Sequence, residues 1–390
     1  MTDTNTRTPA VSPFHVEWSE ENVARVLRLV RDCELPSAPA GSGWTYGCDS
    51  DFLQRLRRHW LNDYDWREAV ARLNRYPQFT SRIDDLLIHF IHVRGEGRRR
   101  PLLLTHGWPG SHYEFWQVIE PLAFPSRFGG SAEDAFDLVI PSLPGFGFSG
   151  KPPGPLGQRV TAQRWNELMT TVLGYSHYLA QGGDWGAVVT SWLGLDHGAS
   201  VRSIHLNMMG LRSPASPQNE AEQAWMTQSQ AAQMRLGGYA AVQMFKPQSL
   251  AWLGAGNPLG QAAWIAERFH DWSDLTQRDF EQVHPLDELL THVMIYVMTG
   301  SFTSAAWYYP GVVQDGFAML PPGTRCETPT AYASLPHDAL MPPPPRSRVE
   351  LSYNLTRWTE FAAGGHFAAA ERPREFVTDL REWARPFSFP

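Results

Sequence analysis

The sequence predicts an α/β fold in which a mostly parallel sheet is flanked by helices. Short apolar strand patterns alternate with helical patterns over residues 86–206, and Gly/Pro turns separate them. Such alternation is typical of parallel strands joined by crossover helices. Residues 211–325 are rich in Gln, Ala, Met and Trp and mostly helical in pattern, and strand patterns return after them. We therefore expect one large core that is interrupted by a helical cap.

The composition excludes several classes of protein. The chain has 390 residues, of which 43% are hydrophobic and 19% charged, as in an ordinary globular protein. A net charge of -7 argues against a nucleic-acid-binding protein, which would carry a basic surface. No apolar run approaches the ~20 residues that span a bilayer, and the N-terminus has no apolar signal core. We expect a cytoplasmic protein without a membrane anchor.

The N-terminal part is predicted to be mostly helical. Residues 1–12 are polar and are expected to form no regular structure. Ser19 can cap a helix whose first turn holds two glutamates, and further helices are predicted at 51–60 and 66–73. Together these segments form an extension of about ninety residues, and it carries no recognisable catalytic group.

The core elements follow in order. Strands are predicted at 86–93, 101–105, 136–140, 178–182, 201–206, 330–333 and 358–362. Helices are predicted at 115–122, 160–173, 187–195 and 373–383. The three cysteines have no regular spacing, so no disulfide framework and no metal site is expected.

The strongest local signal is GGDWG at 182–186, between a predicted strand and a predicted helix. Small residues on both sides of Asp184 permit a sharp turn that lifts one side chain above the sheet. Such a nucleophile elbow usually carries a serine at its centre, and here the centre is an aspartate. The alternative interpretation is a glycine-rich turn in which Asp184 caps the next helix.

A carboxylate at this position has a specific chemical meaning. It is already ionised at neutral pH, whereas a serine needs a base to become nucleophilic. It attacks amides poorly but can displace a leaving group from a saturated carbon, which leaves an alkyl ester on the enzyme. Water must then cleave that ester, so a histidine, an acid that orients it and oxyanion donors are required.

These groups follow Asp184 in the order that hydrolases of this type use, nucleophile, acid and histidine. His366 lies in the loop after the last predicted strand, preceded by two glycines, and Asp338 lies in the loop after the strand before it. Glu360 is a weaker candidate for the acid because it falls within a predicted strand. The backbone N–H groups of Trp108, which precedes Pro109, and of Trp185 are the expected oxyanion hole.

Taken together, these motifs resemble those of the epoxide hydrolases of the α/β-hydrolase fold. The resemblance rests on HGWP at 106–109, SLPGFGFS at 142–149, GDWG at 183–186 and GGHF at 364–367. The N-terminal part is similar to the extension of the microsomal-type subgroup, through YDWR at 64–67, LN at 73–74 and IHFIH at 88–92. Because no N-terminal anchor is present, the chain resembles the soluble bacterial and fungal forms.

The resemblance implies a division of the chain and further site residues. Residues 1–98 would be the extension, 99–210 and 326–390 the two parts of the core, and 211–325 the cap. Two cap tyrosines of this family donate hydrogen bonds to the epoxide oxygen, and Tyr239 and Tyr309 match them. Tyr308 is adjacent, so the second assignment could shift by one residue. The substrate pocket is expected to include the side chains of Trp108, Pro109, Trp185 and Phe367.

The implied reaction opens an epoxide to a vicinal diol, with a small-molecule epoxide and water as the reactants and no cofactor or metal. Its substrate would be a bulky apolar epoxide, with a natural-product intermediate as one candidate. A haloalkane or haloacid dehalogenase uses the same aspartate, and a non-catalytic hydrolase-like binding protein is the alternative of another class. Members of the family are often homodimers, and no pattern in the sequence bears on assembly.

Overall fold

In the computed structural model, which describes residues 10–97 and 100–389, nine strands form a single sheet. The strands are β1 Val11–Phe14, β2 Gln78–Ile83, β3 Leu86–Val93, β4 Arg100–Thr105, β5 Phe136–Pro141, β6 Tyr178–Gly182, β7 Val201–Leu206, β8 Cys326–Ser334 and β9 Tyr353–Glu360. Their spatial order is β1-β2-β3-β5-β4-β6-β7-β8-β9. From β5 to β9 neighbouring strands are parallel, and β1, β2, β3 and β5 pair antiparallel. The predicted mostly parallel sheet is confirmed.

The helices of the described residues lie before the core, within both parts of the core and in the segment between β7 and β8. They are α1 Glu20–Asp32, α2 Ser50–Asn62, α3 Trp66–Leu73, α4 Ile119–Ala123, α5 Gln158–Glu167, α6 Trp185–Asp196, α7 Glu220–Leu236, α8 Gly238–Phe245, α9 Pro247–Gly254, α10 Pro258–Trp272, α11 Phe280–Val283, α12 Leu286–Thr299, α13 Ser301–Ala306, α14 Tyr308–Gln314, α15 Arg346–Glu350, α16 Ala368–Glu371 and α17 Pro373–Ala384.

Three sequence-based expectations are corrected. The N-terminal segment is not only helical, because β1 and β2 extend the sheet beyond β3. Of the residues 1–12 expected to lack structure, 1–9 lie outside the described residues, but Val11 and Ser12 belong to β1. Pro13 is tolerated in this strand because β1 is an edge strand whose outer side needs no donor. The helix expected at 115–122 is instead a 3₁₀ turn, His112–Phe115, followed by α4.

The helices α7–α14 lie in the chain between β7 and β8 and pack over the carboxyl ends of the parallel strands. The Tyr296 hydroxyl of α12 donates to the carbonyl of Gly110 at 2.8 Å, and the Ser304 hydroxyl of α13 donates to the carbonyl of Gly145 at 2.6 Å. Both bonds connect these helices to loops of the core. In open α/β sheets this edge is where ligands bind, so the helices form the roof of the expected site.

Among the described helices, one bent pair has the length and apolar composition that a bilayer span would need. No one helix passes such a test, but the pair Leu286–Thr299 and Ser301–Gln314 does so together, with a bend of 99° between its halves. Most of α12 is buried inside the protein.

Candidate active site

The turn between β6 and α6 holds Asp184 in an unusual backbone conformation. Its φ of 47° and ψ of -129° are rare for a residue with a side chain. The turn is tight enough that a Cβ at Gly186 would collide with the carbonyl oxygen of Thr105 on β4. Asp184 precedes α6, but its side chain makes no capping hydrogen bond to that helix. The structure therefore does not support the interpretation of Asp184 as a helix cap.

The carboxylate of Asp184 is held between two groups of the core. Its Oδ1 accepts the backbone N–H of Trp108 at 2.8 Å, and its Oδ2 lies 3.2 Å from His366 Nε2. Trp108 is joined to Pro109 by a cis peptide bond. Trp185 is the first residue of α6, where helix N–H groups have no intrahelical acceptor. One predicted oxyanion donor thus belongs to a loop and the other to the first turn of α6, both beside the carboxylate.

The loop that carries Trp108 is supported by a buried histidine. The N–H of Leu143 donates to His106 Nε2 at 3.1 Å, so the ring proton lies on Nδ1, which is 2.9 Å from the carbonyl of Gly107. Burial lowers the pKa of His106 to about 4, which keeps the ring neutral. His106 therefore fixes the backbone that presents the Trp108 N–H.

His366 connects Asp184 to Asp338. Its Nδ1 lies 2.9 Å from Asp338 Oδ2, and the second oxygen of Asp338 accepts the backbone N–H groups of Leu340 and Met341. Because Asp338 accepts the proton on Nδ1, Nε2 is the ring nitrogen directed at Asp184. Glu360, the weaker candidate for the acid, instead accepts the indole N–H of Trp358 at 3.0 Å.

The two carboxylates control the protonation of His366. Burial lowers the pKa of His366, but the charges and hydrogen bonds of Asp338 and Asp184 outweigh it and hold that pKa well above its usual range. The two carboxyl groups therefore favour the protonated form of His366 in the resting site, and Asp184 is one of the groups that stabilise it.

Sequence reasoning missed a carboxylate that shapes the loop of His366. Glu371 accepts the backbone N–H groups of Gly365 and Phe367, one on each side of His366, and also that of Asp274 in the loop after α10, each at 2.8 Å. Asp274 in turn accepts the N–H of Gly364 at 2.8 Å. In the sequence, Glu371 is only an acidic residue a few positions after Gly364 and Gly365. That pattern is too common to single it out.

Two tyrosines of the helices between β7 and β8 lie close to Asp184. The rings of Tyr239 on α8 and Tyr309 on α14 have centroids 5.9 Å apart, and both pack on the indole of Trp108. Burial raises the pKa of both phenols, so they stay protonated as donors. The Tyr309 hydroxyl is buried without a hydrogen-bond partner in the part of the chain that the structure describes. The adjacent Tyr308 points elsewhere and donates to Thr161 at 2.7 Å.

A cavity of about 360 Å³ opens at Asp184. Its walls are mostly apolar and contain four methionines. It is lined by Asp184, Trp185, Val188, Met208, Met209, Gly210, Arg212, Gln233, Tyr239, Ala240, Met244, Tyr309, Val312, Phe317, Ala318, Leu340 and Met341. Of the four side chains expected in the pocket, Trp185 lines this cavity. Trp108 lies behind Tyr239, with ring centroids 5.2 Å apart, and Phe367 stacks on Phe269, while Pro109 is not among the lining residues.

The arrangement combines a nucleophile, a base and donors around one cavity. Asp184 can attack an atom in the cavity, the two phenols can bind an oxygen there, and His366 can activate water beside the carboxylate. Among residues 10–97 and 100–389, no group of three or more His, Cys, Asp or Glu side chains is placed to hold a metal ion.

Comparison with known families gives two matches along the chain. Residues 11–115 match the family model of the epoxide hydrolase N terminus, and residues 100–246 match that of the alpha/beta hydrolase fold. A putative epoxide hydrolase of Stigmatella aurantiaca is 38% identical over 96% of this chain and 85% of its own length. Epoxide hydrolase 1 of Sus scrofa is 32% identical over 96% of this chain and 88% of its own length.

Comparison with solved structures also finds epoxide hydrolases. The epoxide hydrolase of Aspergillus niger superimposes with a TM-score of 0.84 at 30% identity, covering 97% of each chain. The juvenile hormone epoxide hydrolase of the silkworm Bombyx mori superimposes with a TM-score of 0.86 at 25% identity, covering 98% of this chain and 96% of its own. The similarity therefore includes the N-terminal segment, the core and the helices above the site.

Proposed function

The chain belongs to the epoxide hydrolases of the α/β-hydrolase fold, and on that premise we propose that it opens an epoxide to a vicinal diol through an ester on Asp184. The observation that carries the proposal is the position of the Asp184 carboxylate. It lies between the Trp108 N–H and His366 on the core side, and it lines the same cavity as the two cap phenols. One cavity thus holds the nucleophile, and the groups for both half-reactions surround it.

In the first half-reaction Asp184 attacks one carbon of the epoxide from the side opposite the ring oxygen. The carbon–oxygen bond to that ring oxygen breaks, and an ester to Asp184 forms. The leaving alkoxide is strongly basic, and Tyr239 and Tyr309 stabilise its developing charge with their hydroxyl groups. Both phenols line the cavity, so both hydroxyl groups can reach this oxygen.

In the second half-reaction water cleaves the ester. Ester formation removes the negative charge of Asp184, which is one of the causes that raise the pKa of His366. The pKa of His366 therefore falls in the intermediate. A phenol gives its proton to the alkoxide and is reprotonated with the proton that Nε2 releases, so Nε2 becomes available to take a proton from water. The resulting hydroxide attacks the carbonyl carbon of the Asp184 ester, and the N–H groups of Trp108 and Trp185 bind the oxyanion. The bond between that carbonyl carbon and the substrate oxygen then breaks, and the substrate oxygen takes the proton from His366 Nε2. The diol leaves, and the proton left on the Asp184 carboxyl group passes to Nε2, which restores the starting state.

The direct test is turnover of styrene oxide by the purified enzyme. The proposal predicts phenylethanediol as the product and no halide release from a haloalkane of similar size. Halide release without diol formation would instead support a dehalogenase, and binding without any turnover would support a non-catalytic binding protein. The paired cap phenols favour the epoxide, because a halide leaving group needs no stabilisation as an alkoxide.

We expect the two phenols to act mainly on ring opening. Tyr239→Phe and Tyr309→Phe should each lower the rate of ester formation by about 10²-fold, because each removes one donor to the alkoxide. Tyr308→Phe is the matched control, since its hydroxyl bonds to Thr161 outside the cavity. Pre-steady-state measurement of ester formation checks the prediction. A larger loss in Tyr308→Phe than in Tyr309→Phe would assign the second donor to Tyr308.

The pH profile of turnover should depend on Asp338. Asp338 supplies the largest contribution that raises the pKa of His366. The Asp338→Asn variant removes that charge, so His366 loses its proton at a lower pH and the acidic limb of kcat moves to lower pH. The maximal rate should fall by about 10²-fold or more, because the neutral ring is a weaker and less well oriented base. An acidic limb that stays in place or moves to higher pH would contradict this role.

The proposal keeps the division inferred from the resemblance, with residues 1–98 as the extension, 211–325 as the cap, and 99–210 with 326–390 as the core. The apolar walls of the cavity support a substrate with an apolar body. Its volume of about 360 Å³ lies within the usual range for small-molecule sites.

A further inference from the structure

Arg212 is a cation in the wall of the active-site cavity, and it has no ion-pair partner among the described residues. It follows β7 and lines the cavity together with Asp184, and it is the one positively charged side chain among the described residues that line it. The guanidinium makes no hydrogen bond or ion pair with the described residues, and its Nε is buried without an acceptor. The side chain is half-buried, and a cation held against apolar walls is stabilised by a paired anion, so this wall offers a site for an acceptor.

The backbone holds Arg212 firmly in this position. Its N–H donates to the carbonyl of Ala318 at 3.0 Å, and its carbonyl accepts the N–H of Leu320 at 2.9 Å. The neighbouring N–H of Leu211 donates to the Tyr353 hydroxyl at 2.7 Å. The backbone of Arg212 is therefore fixed, and its side chain lines the cavity.

The charges around Arg212 do not neutralise it. Arg348 is a buried arginine whose charge acts on Arg212, and it donates to the carbonyl groups of Ser213 and Ala215 while facing Glu222 at 3.9 Å. Burial is the main cause that lowers the pKa of Arg212, Arg348 lowers it further, and Tyr353 acts in the opposite direction. Glu222 is thus engaged by Arg348, and no carboxylate of the described residues forms an ion pair with Arg212.

We propose that Arg212 binds a carboxylate on the epoxide substrate, so that the enzyme acts on an apolar epoxy acid. A planar carboxylate matches the fork of guanidinium N–H donors and would satisfy the group that the protein leaves without an acceptor. The methionines and the other apolar side chains of the cavity then contact the hydrocarbon between the carboxylate and the epoxide. The inference rests on the proposed function, because it concerns the same cavity.

Substrate pairs test the inference on the wild-type enzyme. Each member of a series of ω-epoxyalkanoates of increasing length is compared with its primary amide, which has nearly the same size and shape without the charge. At the chain length that spans the cavity, kcat/KM for the acid should exceed that for the amide by about tenfold or more, as for a charge-assisted hydrogen bond. If no chain length favours the acid, the inference is wrong.

Substitutions at Arg212 test whether this residue causes the preference for the acid over the amide. Arg212→Met should abolish the preference for the acid, and Arg212→Lys should keep part of it, because lysine retains the charge without the fork. Arg202→Met is the matched control, since it changes the net charge equally from an exposed position on β7. An unchanged preference in Arg212→Met, or an equal loss in Arg202→Met, would overturn the assignment to Arg212. Because the wild-type comparison needs no variant, a poorly folded variant does not leave the inference untested.

The same assays separate this inference from the proposed function. If the wild type hydrolyses styrene oxide and the amides but does not prefer the acids, the carboxylate site is wrong and the epoxide hydrolase function stands. If it opens none of these epoxides, the proposed function itself fails.

Discussion

Replacing His366 with glutamine is expected to stop the enzyme after its first half-reaction. The nucleophile and both phenols remain, so ring opening and ester formation proceed. No base is left to activate water, so the ester on Asp184 accumulates and kcat falls by about 10²- to 10⁴-fold. Mass spectrometry after mixing with an epoxide should find the protein heavier by the mass of one substrate molecule, with the added mass on the peptide that contains Asp184.

The exposed His15 gives the control for this experiment. His15→Gln alters the same residue type at the protein surface and should turn over without a trapped adduct. If His366→Gln loses turnover and never carries the adduct, His366 is needed before ester formation, and its role as base in the second half-reaction is wrong.

Replacing Asp184 with alanine is expected to remove both half-reactions. No carboxylate is left to attack the ring carbon, so neither diol nor adduct should form, and turnover should fall by about 10⁴-fold or more, as for the loss of other covalent nucleophiles. Combining Asp184→Ala with His366→Gln should cause little further loss, because groups that act in one sequence of steps are not additive.

Asp196, at the end of the same helix, is the matched control. Its side chain pairs with Arg159 away from the cavity, so Asp196→Ala should leave turnover close to the wild-type rate. Turnover by Asp184→Ala at a similar rate would mean that the carboxylate is not the nucleophile. A biological effect of the protein that survives this substitution would favour a binding role.

The fold and the central site were largely predictable because their signals are local. The core strands at 86–93, 178–182 and 201–206 have the predicted bounds, since short apolar runs between turn residues define them. The glycines around Asp184 are required by the turn itself, and the order of Asp184, Asp338 and His366 follows from the chain. These signals needed no knowledge of distant contacts.

Other features depend on contacts that no local pattern encodes. β1 exists because β2 offers it a partner, although Pro13 weakens its own pattern. Tyr308 and Tyr309 differ by one residue, about 100° around a helix axis, so the orientation of α14 decides which one faces the cavity. The unpaired state of Arg212 is visible only when every neighbouring acceptor has been located in space.

A single turnover in heavy-oxygen water tests the ester mechanism most directly. With enzyme in excess over the epoxide, water attacks the carbonyl of the Asp184 ester, so the diol receives its new oxygen from the carboxylate. The mechanism therefore predicts an unlabelled diol and one heavy oxygen in the Asp184 side chain after the first turnover. A labelled diol together with an unlabelled Asp184 would mean that water attacks the epoxide directly, and would contradict the mechanism.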